Sequence, residues 1–351
     1  KYLPKTVKTP TRSGKEITLL DLATQTSGLP RLPDNFAPKN ALNPYADYTV
    51  EQMYAFLSSY TLTRDIGSKY EYSNLGVGLL GHILALRAGT DYEALVRTRI
   101  CQPLKMDSTR VKLTPEMQAH LAAGHNPALI PVPNWDLPTL AGAGAIRSTV
   151  NDMLRFVAAN LGLNKSLLLA AMQMAHQSRH ETGVPDLEIG LNWHILKKFD
   201  TAIVWHNGGT GGYHSFIGFD PKARKGVVVL SNSTNDIDDI GRHLLVSQYP
   251  LASVAAPKEH KAIKLDPKVF DAYLGEYQLA PNFVIMVSRE GDQFFLQATG
   301  QGKLEMFAET EIDFFLKAVD AQVTFVRDDK GQVIQLVLHQ NGVNQPAKKL
   351  R

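Results

Sequence analysis

The residues best suited to chemistry form one run, His206-Asn207-Gly208-Gly209-Thr210-Gly211-Gly212-Tyr213-His214-Ser215. Four of its ten residues are glycine, and backbone N–H groups approach a ligand closely only where side chains are absent. Apolar runs at 202–205 and 226–230 flank it, and both read as short buried strands bounded by turn signals. The expectation is a strand whose N–H groups and one ring nitrogen face a cleft. A Gly-rich hairpin without any chemistry has the same pattern. A dinucleotide fingerprint is excluded, because Gly-x-Gly-x-x-Gly does not fit and no helix follows. A second candidate is Tyr72-Ser73-Asn74, placed just before the apolar run 75–84. That run predicts a buried helix ending near Gly89. Tyr72 and Asn74 could present a phenol and an amide to one pocket. Their plain alternative is packing for the tyrosine and capping, by Asn74, of a helix that begins at Leu75.

Elements that would position these groups are marked by their caps. Thr18 with Asp21 has capping-box spacing, and Gly28 with Pro30 gives a helix stop. Thr49 with Gln52 opens a helix through Ser58, Asp91 another through Ile100, and Ser148 or Thr149 a third through Leu161. A last helical stretch at 236–248 closes this region. Residues 250–257, with Pro at both ends, read as a linker. Beyond it, runs at 283–287, 293–297, 322–326 and 333–338 alternate with turns such as Glu290-Gly291-Asp292 and Asp328-Asp329-Lys330-Gly331. Regularly spaced short strands predict an all-β sheet or small barrel. The expected division is 1–249, a linker at 250–263, and 264–351.

Composition narrows the function classes. A length of 351 residues with 44% hydrophobic and 20% charged content suits globular domains with a sizeable core. The net charge of +3 is small for this length, and the basic start at Lys1, Lys5, Lys8, Arg12 and Lys15 reads as a solvated surface rather than a nucleic-acid patch. No apolar run reaches membrane-spanning length. Cys101 is the single cysteine, so no intrachain disulfide forms, and its apolar context makes it a packing residue. No metal is expected: His180-Glu181 does not continue to His-Glu-x-x-His, and 236–239 lacks the rest of a calcium loop.

Four segments, in this order, resemble the serine β-lactamase and penicillin-binding protein superfamily, nearest its class C β-lactamases and their esterase and D-peptidase relatives. They are Leu19-Leu20-Asp21-Leu22-Ala23-Thr24 through Gly28-Leu29-Pro30, Tyr72-Ser73-Asn74 (a Tyr-x-Asn motif), the segment 100–109 around Pro103-Leu104, and His206-Asn207-Gly208. The last is similar to the family's Lys-Thr-Gly strand in its His-x-Gly form. Lys105 stands where that family has Gly. Tyr273-Leu274-Gly275-Glu276-Tyr277 resembles the opening of a lipocalin-like C-terminal domain. The implied fold is α+β, an antiparallel sheet flanked by helices with its N-terminal part missing, followed by a small all-β barrel-like domain.

The resemblance implies acyl transfer through an acyl-serine. It assigns Tyr72 to proton transfer and the Gly209 N–H to half of an oxyanion hole. Asn74, His206, Asn207, Gly208 and Thr210 fall to substrate contact. Its Ser-x-x-Lys nucleophile motif occurs nowhere in 1–351, and Gly-x-Ser-x-Gly is absent too. The expectation is therefore a chain that begins after its nucleophile and is inactive alone, with the missing segment as a partner chain or as a lost N-terminal piece. His206 in place of Lys removes a fixed charge, which favours esters or small D-amino-acid amides over strong β-lactamase activity. The implied substrate is a small ester, β-lactam or D-peptide, without a cofactor, in a periplasmic or secreted setting. The rival expectation is a non-catalytic ligand-binding protein of the same fold.

Overall fold

The computed structural model describes residues 1–252, 260–280, 283–299, 302–319, 321–340 and 343–350. The chain forms two compact units, Lys1–Asn126 with Pro131–Ala252, and Pro127–Ile130 with Ser253–Arg351. Half of the expected linker 250–263, at 253–259, lies outside the described residues.

In the first unit the helices start where the sequence caps them. Thr18 and Thr49 close capping boxes on α1 (Leu19–Ala23) and α2 (Val50–Ser59). The long apolar helix α3 spans Asn74–Ala88, with Ser73, not Asn74, as its N-cap: Ser73 Oγ accepts the Gly76 N–H at 2.9 Å. Gly89, at φ 66°, ends it. Leu75, Leu79 and Ile83 of α3 bury against Met53, Phe56 and Leu57 of α2 and against Leu22 and Leu29. A Cβ on Gly81 would lie 2.8 Å from the Gly142 Cα, so glycine lets the tight turn Ala141–Ala143 rest on the helix backbone. The helix expected from Asp91 is capped by Asp91 as Tyr92–Val96, then widens into a π-type turn at Arg97–Cys101. Thr149 caps α4 (Val150–Asn160), and the closing helix α5 is Asp238–Leu245.

A six-stranded antiparallel sheet completes the unit. In chain order its strands are β1 (His180–Glu181), β2 (Leu187–Ile189), β3 (His194–Lys198), β4 (Thr201–Thr210), β5 (Tyr213–Asp220) and β6 (Lys225–Ser231). Each pairs with the next, which makes β6 an edge; its Val227, Val228 and Val229 are half-buried, where a fully buried strand was expected. Side chains of a strand alternate between faces. Ile203 and Trp205 pack with Phe216, Leu245 and Val246 on the α5 side. Val204 packs with Ile195, Phe219 and Val157 on the α4 side.

The second unit is a closed barrel of eight antiparallel strands, from β7 (Gly275–Ala280) to β14 (Val343–Lys349). Pairing of Tyr277 with Lys349 and of Gln278 with Lys348 closes it. Fully buried aromatic rings fill the interior. Phe270, from the short helix Pro267–Phe270, stacks on Phe294 with ring centroids 4.0 Å apart, and Tyr273 stacks on Phe325 at 4.2 Å.

Candidate active site

Strand β4 outruns its neighbour. Strand β3 pairs only as far as His194 opposite Trp205, while β4 continues against β5 alone, from His206 opposite Ile217 to Thr210 opposite Tyr213. In an antiparallel ladder the N–H and C=O groups of alternate residues point to opposite sides. Part of the 206–210 backbone therefore faces an open edge. Gly209 is exposed there, and a Cβ built on it meets nothing within 4 Å.

His206 and Tyr72 face one another across this edge, ring centroids 6.4 Å apart. The Tyr72 hydroxyl makes no hydrogen bond among the described residues. Gln25 fixes the backbone on both sides of Tyr72. Its carbonyl accepts the Glu71 N–H at 2.8 Å, and its side-chain Oε1 accepts the Ser73 N–H at 2.8 Å. Gln25 itself sits at φ 60°, an unusual conformation for a side-chain-bearing residue. Asn74, relieved of capping by Ser73, donates from Nδ2 to the Tyr45 hydroxyl at 3.4 Å.

Charge at the site comes from a residue that carries no motif. The Arg31 guanidinium lies 5.2 Å from the Tyr72 ring centroid. Burial raises the Tyr72 pKa above its ordinary value of 10, Arg31 opposes the rise and Tyr45 adds to it. The phenol therefore holds its proton at neutral pH. Burial lowers the His206 pKa, against the opposing pull of the Asn207 carbonyl and of Asp238. His206 Nδ1 lies 2.5 Å from the Asn207 carbonyl oxygen. A carbonyl only accepts, so Nδ1 carries the hydrogen and Nε2 of the neutral ring is an acceptor. His194 stacks on His206 at 5.2 Å with the rings 12° apart. Its Nε2 is 3.0 Å from the Tyr70 hydroxyl, and burial followed by His206 pulls its pKa down to about 4.

Asn207 goes elsewhere. Alternation puts it on the α5 face with Trp205, and its Nδ2 donates to Asp238 Oδ2 at 2.7 Å. Asp238 Oδ1 meets His214 Nε2 at 3.2 Å, so one carboxylate anchors both arms of the Gly-rich hairpin. Asp236 Oδ1 is 3.8 Å from the same His214 nitrogen. Together, Tyr72, His206, Gly208, Gly209 and Thr210 line one edge, with Asn74 beside it through Tyr45. Asn207, expected at the substrate, is committed to the opposite face.

The family model described as Beta-lactamase matches residues 1–248. The chain belongs to the Beta-lactamase family. A second family model, Domain of unknown function (DUF3471), matches residues 259–349. Among the chain's relatives is penicillin-binding protein 4* of Bacillus subtilis, 27% identical over 95% of this chain and 78% of its own length. D-alanyl-D-alanine-carboxypeptidase/endopeptidase AmpH of Escherichia coli is 31% identical over 66% of this chain, which spans 62% of that protein. A Yersinia pestis β-lactamase/D-alanine carboxypeptidase, solved with citrate, superposes with a TM-score of 0.57 at 26% identity, covering 67% of this chain and 70% of that one.

Arg31, Tyr45, Gln25 and His194 were not singled out by the sequence. Each arrives through the fold from a distant or unpatterned position. The only signal within reach was Gln25, adjacent to the α1 cap in a segment already marked by the family resemblance.

Proposed function

We propose that residues 1–252 carry the proton-transfer and carbonyl-binding half of an acyl-serine hydrolase site for esters, β-lactams or D-amino-acid peptides, with small uncharged esters favoured. The observation that carries this reading is the pairing of an unbonded Tyr72 hydroxyl and a neutral His206 across a backbone edge open at Gly209. The tyrosine, protonated at neutral pH, suits delivery of a proton to a leaving group. Arg31 supplies a positive charge that makes the reverse transfer less costly. The Gly209 N–H is assigned half of the oxyanion hole, where loss of one donor costs roughly a hundred- to a thousand-fold in rate. A neutral His206 whose Nε2 only accepts gives a substrate carboxylate no donor, which supports esters over penicillins. Ser-x-x-Lys must be supplied to residues 1–351, in cis or as a second polypeptide, for acyl-enzyme to form. A periplasmic or secreted setting is part of this proposal; no helix among the described residues is long and apolar enough to cross a membrane.

His206→Lys tests it, in protein supplied with the Ser-x-x-Lys segment. A charge-assisted contact should lower the Michaelis constant for a penicillin roughly tenfold and leave that for a short-chain nitrophenyl ester within about twofold. An unchanged or higher penicillin constant, with the ester constant held, removes His206 from the substrate site.

A further inference from the structure

A cavity of about 340 Å³ opens on the α5 side of the sheet, lined by Asp186, Leu196, Lys198, Asp239, Arg242 and Tyr249 among others. All of these belong to the first unit. Leu196 pairs with Ile203 and Lys198 with Thr201. At about 3.3 Å per residue, Ile203 lies about 20 Å along β4 from Gly209. The cavity is thus at the far end of the strand from the proposed acyl-transfer site.

Its charges are balanced but unpaired. Two cations and two carboxylates line one space, yet none of the four enters an ion pair among the described residues. Arg242 uses only Nε, toward the Asp238 carbonyl at 3.2 Å, and rests its guanidinium 5.6 Å from the Trp205 ring. Its terminal nitrogens make no hydrogen bond among the described residues. Lys198 lies 5.2 Å from the Phe199 ring. Asp239 spends one oxygen on the Ala252 N–H at 2.7 Å, and the exposed Asp186 carboxylate makes no hydrogen bond among the described residues. The Tyr249 hydroxyl, within the fields of Arg242 and Asp186, is buried without a hydrogen-bond partner.

We propose that this cavity binds a small zwitterion of amino-acid to dipeptide size, its carboxylate held by Arg242 and Lys198 and its ammonium by Asp186 and Asp239. A simple anion would meet two carboxylates, and a simple cation would meet two basic groups. A ligand carrying both signs can meet all four side chains, of which Lys198 and Asp186 are exposed at the rim and Arg242 and Asp239 half-buried. The volume sits at the small end of the roughly 300–1,000 Å³ range of ligand pockets, and Leu196 with Pro185 and Pro250 gives it apolar walls.

The test needs no catalytic activity, so its outcome is independent of the acyl-transfer reading. Titrate the 351-residue protein with glycylglycine, glycine, acetylglycine and glycinamide, following calorimetric heat and tryptophan emission, since Arg242 lies over Trp205. Glycylglycine or glycine should saturate in the low millimolar range or tighter. The two singly charged compounds should bind at least about tenfold more weakly. Lys198→Gln and Asp186→Asn, both at chain positions outside the packed core, should each weaken zwitterion binding by about tenfold with an unchanged melting temperature. No saturable binding by either zwitterion, equal binding of acetylglycine, or unchanged affinity in both variants would overturn the proposal.

Discussion

Asp238 is the residue whose removal should report most clearly on how the Gly-rich hairpin is held. It is 6% exposed and accepts from Asn207 on one arm and His214 on the other, at 2.7 and 3.2 Å. Hydrogen bonds to a charged acceptor contribute about 1.5–3 kcal/mol each, and an unsatisfied buried donor costs about 1–3 kcal/mol. Burial and the neighbouring Asp236 disfavour the carboxylate itself, which offsets part of that gain. Asp238→Ala should therefore lower stability by about 2–4 kcal/mol, or about 4–16 °C in melting temperature for a unit of this size. Asp238→Asn sheds the charge and keeps one acceptor but turns its amide nitrogen toward the other donor, so it should cost less than Ala, about 1–2 kcal/mol at pH 7. The pH dependence has a definite sign. The folded pKa is raised above 3.8, so this group's contribution is full below pH 3.8 and is lost as pH rises through the folded value. Urea unfolding followed by circular dichroism, run from pH 3.5 upward on wild type and both variants, gives every quantity. Equal costs for Ala and Asn at pH 7, or a wild-type advantage over Asn that grows with pH, would refute the anchoring role.

Two glycines should behave oppositely. Gly81→Ala forces a Cβ against the Gly142 backbone and should cost about 1–3 kcal/mol in thermal unfolding, whereas Gly209→Ala meets open space and should melt within about 0.5 kcal/mol of wild type. A large loss for Gly209→Ala would mean that this edge is packed rather than open. Acid should also weaken the first unit. His176 and His194, whose pKa values burial pulls down to about 4, favour the folded state above pH 6.5, an advantage lost as pH falls toward 4. The unfolding free energy should drop across that window by about a few kcal/mol in total, and His194→Phe should shrink the drop; a flat profile would count against the buried neutral imidazoles.

The sequence made the local features legible because they are local. A threonine three residues before a carboxylate or amide names a helix start, and Gly89 names a helix stop, with no knowledge of partners. The Gly-rich run and Tyr72 were visible because their spacing serves backbone exposure and a helix entrance. For Asn207 the resemblance implied a substrate contact, whereas period-two alternation puts 206 and 207 on opposite faces, and its side chain bonds Asp238. Asn74 looked like the cap because Ser73 and Asn74 are both good caps, and only the Ser73–Gly76 hydrogen bond separates them. Arg31, Gln25 and His194 lie 41, 47 and 122 residues from Tyr72 by subtraction of their numbers, and no periodicity links such positions. In the barrel, Leu304–Ala308 and Asp313–Leu316 escaped notice because neither short strand contains a β-branched residue.

The central claim is that this polypeptide holds the tyrosine, the oxyanion edge and the substrate-facing histidine of an acyl-transfer site, and that none of its own serines is the activated nucleophile. Incubation of the 351-residue protein with a fluorescent penicillin and with a fluorophosphonate, followed by intact-mass measurement, tests that claim directly. The prediction is no covalent increment from either reagent, because no serine here has lysine three residues later and an unactivated hydroxyl is a weak nucleophile. A stoichiometric adduct mapped to any serine between Lys1 and Arg351 would contradict it.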